Sequence, residues 1–140
     1  MSFSGYTGEF AGSIGGFEGI TLDGATAMTL TAAASVSNGK WEFDLSDRAD
    51  TLAGTSLLNW SSADFTNYTV RVSFADDAQA QAGWNIAAVT EAFSGTTFDV
   101  EVGGQEIASG LAYGDHIADG EYKDWGFTLD SGVLKFKNLA

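Results

Sequence analysis

The side chains of this sequence best spaced to do chemistry are carboxylates. Asp115, Asp119, Glu121 and Asp124 lie close together, and Asp119-Gly120 supplies the Asp–Gly core of a calcium loop. Calcium takes oxygen ligands, so calcium, if it binds, is expected on these four acids. The helix–loop–helix calcium pattern is not met, because Ile117 stands where the third-position ligand belongs and Gly126 where the final Glu belongs. Solvated loop acids are the competing reading. Tryptophans offer a second chemistry, stacking on sugar rings. Trp60 and Trp84 lie near loop-like segments and are the candidates for carbohydrate. Trp41 and Trp125 alternate with Phe and are expected in the core.

Catalysis finds less support. His116 is the single histidine, and no Gly-x-Ser-x-Gly elbow accompanies it. No His pair has metal spacing, and no Gly-rich loop ends in a phosphate-binding lysine. Cysteine is absent, which removes disulfides, thiolate chemistry and Cys-based zinc sites. The expectation is a protein without enzymatic activity and without a required cofactor, calcium apart.

The charge balance narrows the partners. There are 19 acidic residues against 6 basic ones, a formal charge of −13. Such a surface repels phosphate backbones, so nucleic acid is not expected. No apolar run approaches the ~20 residues of a membrane-spanning helix. The first residues hold neither a basic region nor a long apolar stretch, so any export is expected by a route without a standard signal peptide.

The elements that must hold these side chains are β-strands. Trp41 to Leu45, Val70 to Phe74, Phe98 to Val102 and Trp125 to Leu129 alternate apolar with polar. Gly103-Gly104 and Asp130-Ser131-Gly132 read as two-residue and three-residue hairpin loops, and Ser37-Asn38-Gly39 as a further turn. Alternating segments recur near positions 41, 69, 97 and 125, and Phe93 echoes Phe65. That repetition fits stacked hairpins, coils of a solenoid, or a chance match in a regular meander. Residues 1–19 differ. Phe3, Tyr6, Phe10, Ile14 and Phe17 have helical spacing, but six glycines oppose a lone helix. They are expected to form a Gly-rich N-terminal arm whose apolar side chains mediate self-association. The expected fold is therefore all-β: an antiparallel β-sandwich or β-roll over residues 20–140, with the arm at 1–19.

The C-terminal part carries a resemblance. Gly83-Trp84, then Thr97-Phe98-Asp99-Val100-Glu101-Val102-Gly103-Gly104-Gln105, then Gly120 through Trp125, Phe127 and Val133 to Leu139, resembles repeat modules of large bacterial secreted or cell-surface adhesins. It covers residues 83–139. The resemblance implies an extracellular or cell-surface location and a structural or adhesive role, with partners in the protein itself or a larger surface assembly. It brings no catalytic residue. An extracellular ligand-binding module, for carbohydrate with or without calcium, is the alternative.

Overall fold

Apolar–polar alternation does make strands in this chain. The structure is a computed structural model describing residues 2–10, 14–17, 19–31, 34–36, 39–61 and 63–140. The side chains of 14–17 and 34–36 lie outside that description. The strands are β1 (Ser2–Ser4), β2 (Thr7–Phe10), β3 (Ile14–Phe17), β4 (Ile20–Asp23), β5 (Ala27–Leu30), β6 (Ala34–Val36), β7 (Lys40–Asp44), β8 (Leu58–Trp60), β9 (Thr69–Phe74), β10 (Ala87–Val89), β11 (Thr97–Val102), β12 (Gln105–Ala112), β13 (Trp125–Asp130) and β14 (Val133–Asn138). A short helix, α1 (Asp77–Gln81), and a 3-10 turn at Asp50–Leu52 interrupt them. Among the described residues no helix is long and apolar enough to cross a membrane.

The expected antiparallel sandwich or roll is not what forms. One six-stranded sheet has the order β1-β4-β7-β9-β11-β12, a second β13-β14-β10-β8-β5-β2, and β3 pairs with β6. The ladder from β1 to β11 is parallel throughout. So is the ladder β2-β5-β8-β10, and so is β3 with β6. The chain visits the first sheet, then the second, then in its two N-terminal coils the short third, and returns. It winds as a parallel solenoid. Partners along the first sheet lie 19, 21, 29 and 28 residues apart. The recurrence near positions 41, 69 and 97 is therefore the length of a coil, not of a hairpin. Like stacks on like: Phe65 lies over Phe93 with ring centroids 5.6 Å apart, and Thr69 over Thr97.

The N-terminal arm is replaced by the first coil of this solenoid. β1, β2 and β3 pair with β4, β5 and β6. Gly5 turns the chain from β1 into β2 with φ 67°, a conformation a glycine adopts without strain. In a coil this short Phe3, Tyr6 and Phe10 come together from successive sides, which explains how a helix-like spacing arises without a helix. The later coils are longer because two insertions, residues 45–57 and 75–86, bulge from the same side between the two large sheets.

Two hairpins stand where the glycines suggested. β11 turns into antiparallel β12 through Gly103-Gly104. β13 turns into β14 through Ser131-Gly132, a two-residue loop and not the three-residue one expected, because Asp130 already pairs with Val133. Both loop residues have positive φ, as the tight primed turn requires. Positions 37 and 38 lie outside the described residues, and β6 and β7, which flank them, belong to different sheets.

The core lies between the sheets. Of the side chains expected inward, Trp41, Phe43, Leu45, Val70, Val72, Phe74, Phe98, Val100, Val102 and Phe127 are buried, and Leu129 is partly so. A period of two faces one side of a strand inward whichever way its neighbours run. Stacked rings join one sheet to the other: Trp41 on Trp60 at 5.5 Å and Phe98 on Phe127 at 4.4 Å.

Candidate functional site

The two ends of the solenoid are built differently, and that difference defines the candidate surfaces. At the C-terminal end the sheets are closed against each other. Past β12, the Gly114 N–H donates to the Phe127 carbonyl at 3.1 Å and the Ile117 N–H to Trp125 at 2.8 Å. The Tyr113 hydroxyl accepts the Leu129 N–H at 2.9 Å. Trp125, Tyr122, Phe127 and Phe136 pack ring to ring beneath. Gly126 is needed inside β13, because a Cβ there would collide with the Asp115 carbonyl.

The four acids proposed for calcium sit on this cap but do not converge. Asp124 takes φ 72° and lies 3.4 Å from His116 Nδ1 through Oδ1. Asp115, Asp119 and Glu121 are exposed. Among the described residues no group of three or more acidic, His or Cys side chains is gathered to hold a metal. His116 is itself exposed, and among the described residues no serine hydroxyl bonds to it.

Asp119 and Glu121 instead border a groove of about 560 Å³. Its floor is Val102, Ile107 and Ile117, and its far rim is Asp76 and Asp77 at the start of α1. Two of these acids already have partners. Asp76 caps α1 by accepting the Gln79 N–H at 2.9 Å. Asp77 accepts the Tyr122 hydroxyl at 2.5 Å. Burial first, and then the bond to Asp77, push the Tyr122 phenol well above its ordinary value. The contact ties α1 to the cap across 45 residues of sequence.

The tryptophans separate. Trp60 is 2% exposed, stacked on Trp41 and edge-on to Phe65. Its Nε1 and that of Trp41 are buried with no hydrogen-bond partner among the described residues, so both indoles act there as apolar filling. Trp84 is also largely buried, but it lines a groove of about 510 Å³ with Asp50, Asp76 and Gln79.

No protein family, curated protein or solved structure matches this chain.

At the N-terminal end, as with β12 and β13 at the other, the two large sheets stop in edge strands. β1 and β2 are the last strands of their sheets, so one edge of each has no strand partner among the described residues. Phe3, Tyr6 and Phe10 cover the core there, edge to face, with centroids 5.5, 5.5 and 6.3 Å apart. Phe3 is buried, whereas Tyr6 and Phe10 are partly exposed. Ile14 and Phe17 fall on β3, and their side chains lie outside the described residues.

Sequence reasoning missed Arg48. It is 4% exposed and donates to the carbonyls of Gly24, Thr26 and Thr55 at 2.8–2.9 Å. It thereby pins the 45–57 insertion onto the corner between β4 and β5. Nothing in the run Ser46-Asp47-Arg48-Ala49-Asp50 marks the arginine as buried, since charged neighbours read as solvent-facing loop.

Proposed function

We propose that this chain is a non-enzymatic structural or adhesive protein of the bacterial cell surface or extracellular space. The observation that supports it best is the solenoid itself, two parallel ladders of stacked coils whose sheets end in edge strands at both ends, β1 and β2 at one and β12 and β13 at the other. In a solenoid each coil contacts only its neighbours, and the stack presents an extended surface to partners. The acidic surface keeps such a scaffold soluble. His116 has the Asp124 carboxylate 3.4 Å from its Nδ1 and, among the described residues, no serine hydroxyl bonded to it.

A ligand-binding module is the second reading, favoured by the groove with an apolar floor and an acidic rim between α1 and the cap. Calorimetry separates the two. The structural reading expects no saturable heat from mono- or oligosaccharides, with millimolar Ca²⁺ or with chelator. Saturable heat lost on Asp119→Asn would replace it with the ligand-binding reading. Antibody labelling of intact producing cells tests location: the proposal expects accessible epitopes without permeabilisation.

A further inference from the structure

The groove between α1 and the cap differs in charge from two other grooves on the surface. Asp76, Asp77, Asp119 and Glu121 line it, and none of its lining side chains is basic. A groove over Thr29, Asn59 and Thr90 is lined by no charged side chain. The groove beside Trp84 sets Asp50 and Asp76 against Arg48. Of the three, the first joins a negative rim without a facing cation to an apolar floor. That rim is held in place on the α1 side, where Asp76 Oδ1 accepts the Gln79 N–H and Asp77 Oδ1 accepts the Tyr122 hydroxyl. Asp119 and Glu121 stand exposed on the cap side. The volume of about 560 Å³ is within the range of ligand clefts.

We propose that this groove docks an extended segment of a partner protein in which Arg or Lys alternates with large apolar residues. The inference rests on the adhesive reading above and names the chemistry of what is adhered to. Charge complementarity selects the sign of the occupant. A cleft walled by one sign of charge focuses its field, and a chain of net charge −13 adds attraction from a distance. The floor selects what lies between the charges. A metal ion or a small polyamine would leave the apolar floor uncovered, whereas large apolar side chains bury it. The placement of the acids selects a polymer. They stand on two sides of the floor, so an occupant with several separated positive charges reaches more of them than a single cation does. An extended segment alternates its side chains, which sends the apolar ones down onto the floor and the basic ones up to the mouth. From there long basic side chains lay their stems on apolar surface and bring their heads to the rims.

A fluorescent peptide alternating arginine with leucine, titrated with the full chain and read by anisotropy, tests this. Saturable binding that weakens with salt is expected. Asp119→Asn with Glu121→Gln should weaken it roughly tenfold, from two rim pairs each worth a few-fold. Asp47→Asn with Glu91→Gln removes the same charge from exposed positions that do not line the groove, and should change affinity by about twofold or less. Ile107→Ser keeps every charge and should still weaken binding several-fold, as should serine in place of leucine in the peptide. If Ile107→Ser unfolds, the serine peptide reports on the floor alone. Four results overturn the inference: no saturable binding, equal weakening by the two double variants, a serine peptide that binds as tightly, or spermidine that binds as tightly. A dimer in sedimentation equilibrium that Asp119→Asn with Glu121→Gln dissociates would make the occupant a second copy and overturn it too. Failure of the peptide without saturable heat from sugar removes this inference and leaves the structural reading standing. Saturable sugar heat lost on Asp119→Asn removes the structural reading itself.

Discussion

Arg48 Nη1 donates to the Thr26 carbonyl at 2.8 Å, joining residues 22 positions apart. The same nitrogen reaches Gly24, and Nη2 reaches Thr55. A planar guanidinium can serve three carbonyls in fixed directions, which an ammonium on a flexible stem cannot. Burial lowers the Arg48 pKa from its ordinary value far above neutrality.

Replacing Arg48 by Met should leave those carbonyls without their donor and destabilise the fold. Unsatisfied buried groups cost about 1–3 kcal/mol each, partly offset because a buried charge is removed. The expected net loss is about 2–4 kcal/mol in urea unfolding, and Arg48→Lys should recover less than half. Arg71 is the control. It pairs with Glu101 on the outer face, where both side chains are partly exposed. Arg71→Ala should cost about 1 kcal/mol or less and become smaller still in high salt. Equal losses for the two arginines would show that Arg48 is not a clamp.

Much of the strand content was legible because burial follows a local period of two. Trp41-x-Phe43-x-Leu45 and Phe98-x-Val100-x-Val102 declare an inner and an outer face without reference to any neighbour. The direction of pairing was not legible, because it depends on contacts 19 to 29 residues away. Trp41 pairs with Val70 and Val70 with Phe98, and apolar side chains of this size would suit either a coil or a sandwich. The first coil was hidden for another reason. Its six glycines argue against helix, and a three-residue strand such as Ser2–Ser4 is too short to show alternation. At the candidate surfaces, Tyr122 and Asp77 are brought together solely by the winding of the chain.

The cap should depend on Gly126. An added Cβ meets backbone at Asp115 and the side chain of Leu139, and backbone cannot move aside as a flexible side chain can. Gly126→Ala should therefore destabilise by about 2 kcal/mol or more, in the range of an overpacked core. Hydrogen exchange should quicken first at Gly114 and Ile117, whose N–H groups bond to Phe127 and Trp125. Unchanged exchange there would disprove the tight approach.

Stability should fall in alkali through Tyr122. Its folded pKa is raised, so its contribution is complete below the unfolded value of about 10 and is lost as pH rises through the folded value. Above pH of about 10 the unfolded chain releases this proton and the folded chain retains it, which favours unfolding. Tyr122→Phe should flatten that alkaline decline while lowering stability near neutrality, because the bond to Asp77 is lost. Urea unfolding of both proteins at several pH values checks the slope. Parallel curves would remove Tyr122 as the cause.

The winding itself can be probed where one coil corner rests on the next. Asn67 has φ 62° and Gly95 has φ 68°, and the Asn67 N–H donates to the Ser94 carbonyl at 2.8 Å. These two corners are 28 residues apart, one coil of the ladder that pairs Val70 with Phe98. A Cβ on Gly95 would strike Asn67 Oδ1, so Gly95→Ala adds a clash to the strain of a left-handed alanine. That strain alone is about 1 kcal/mol. Asn67→Gly removes the clashing amide and keeps the backbone conformation. In the Asn67→Gly background, Gly95→Ala should therefore cost only the conformational part, and the cycle should show a coupling of about 1 kcal/mol. In an antiparallel sandwich these residues would have no reason to touch. Additive losses would mean that the two corners do not stack, and the parallel register from Asn67 to Gly95 would have to be redrawn.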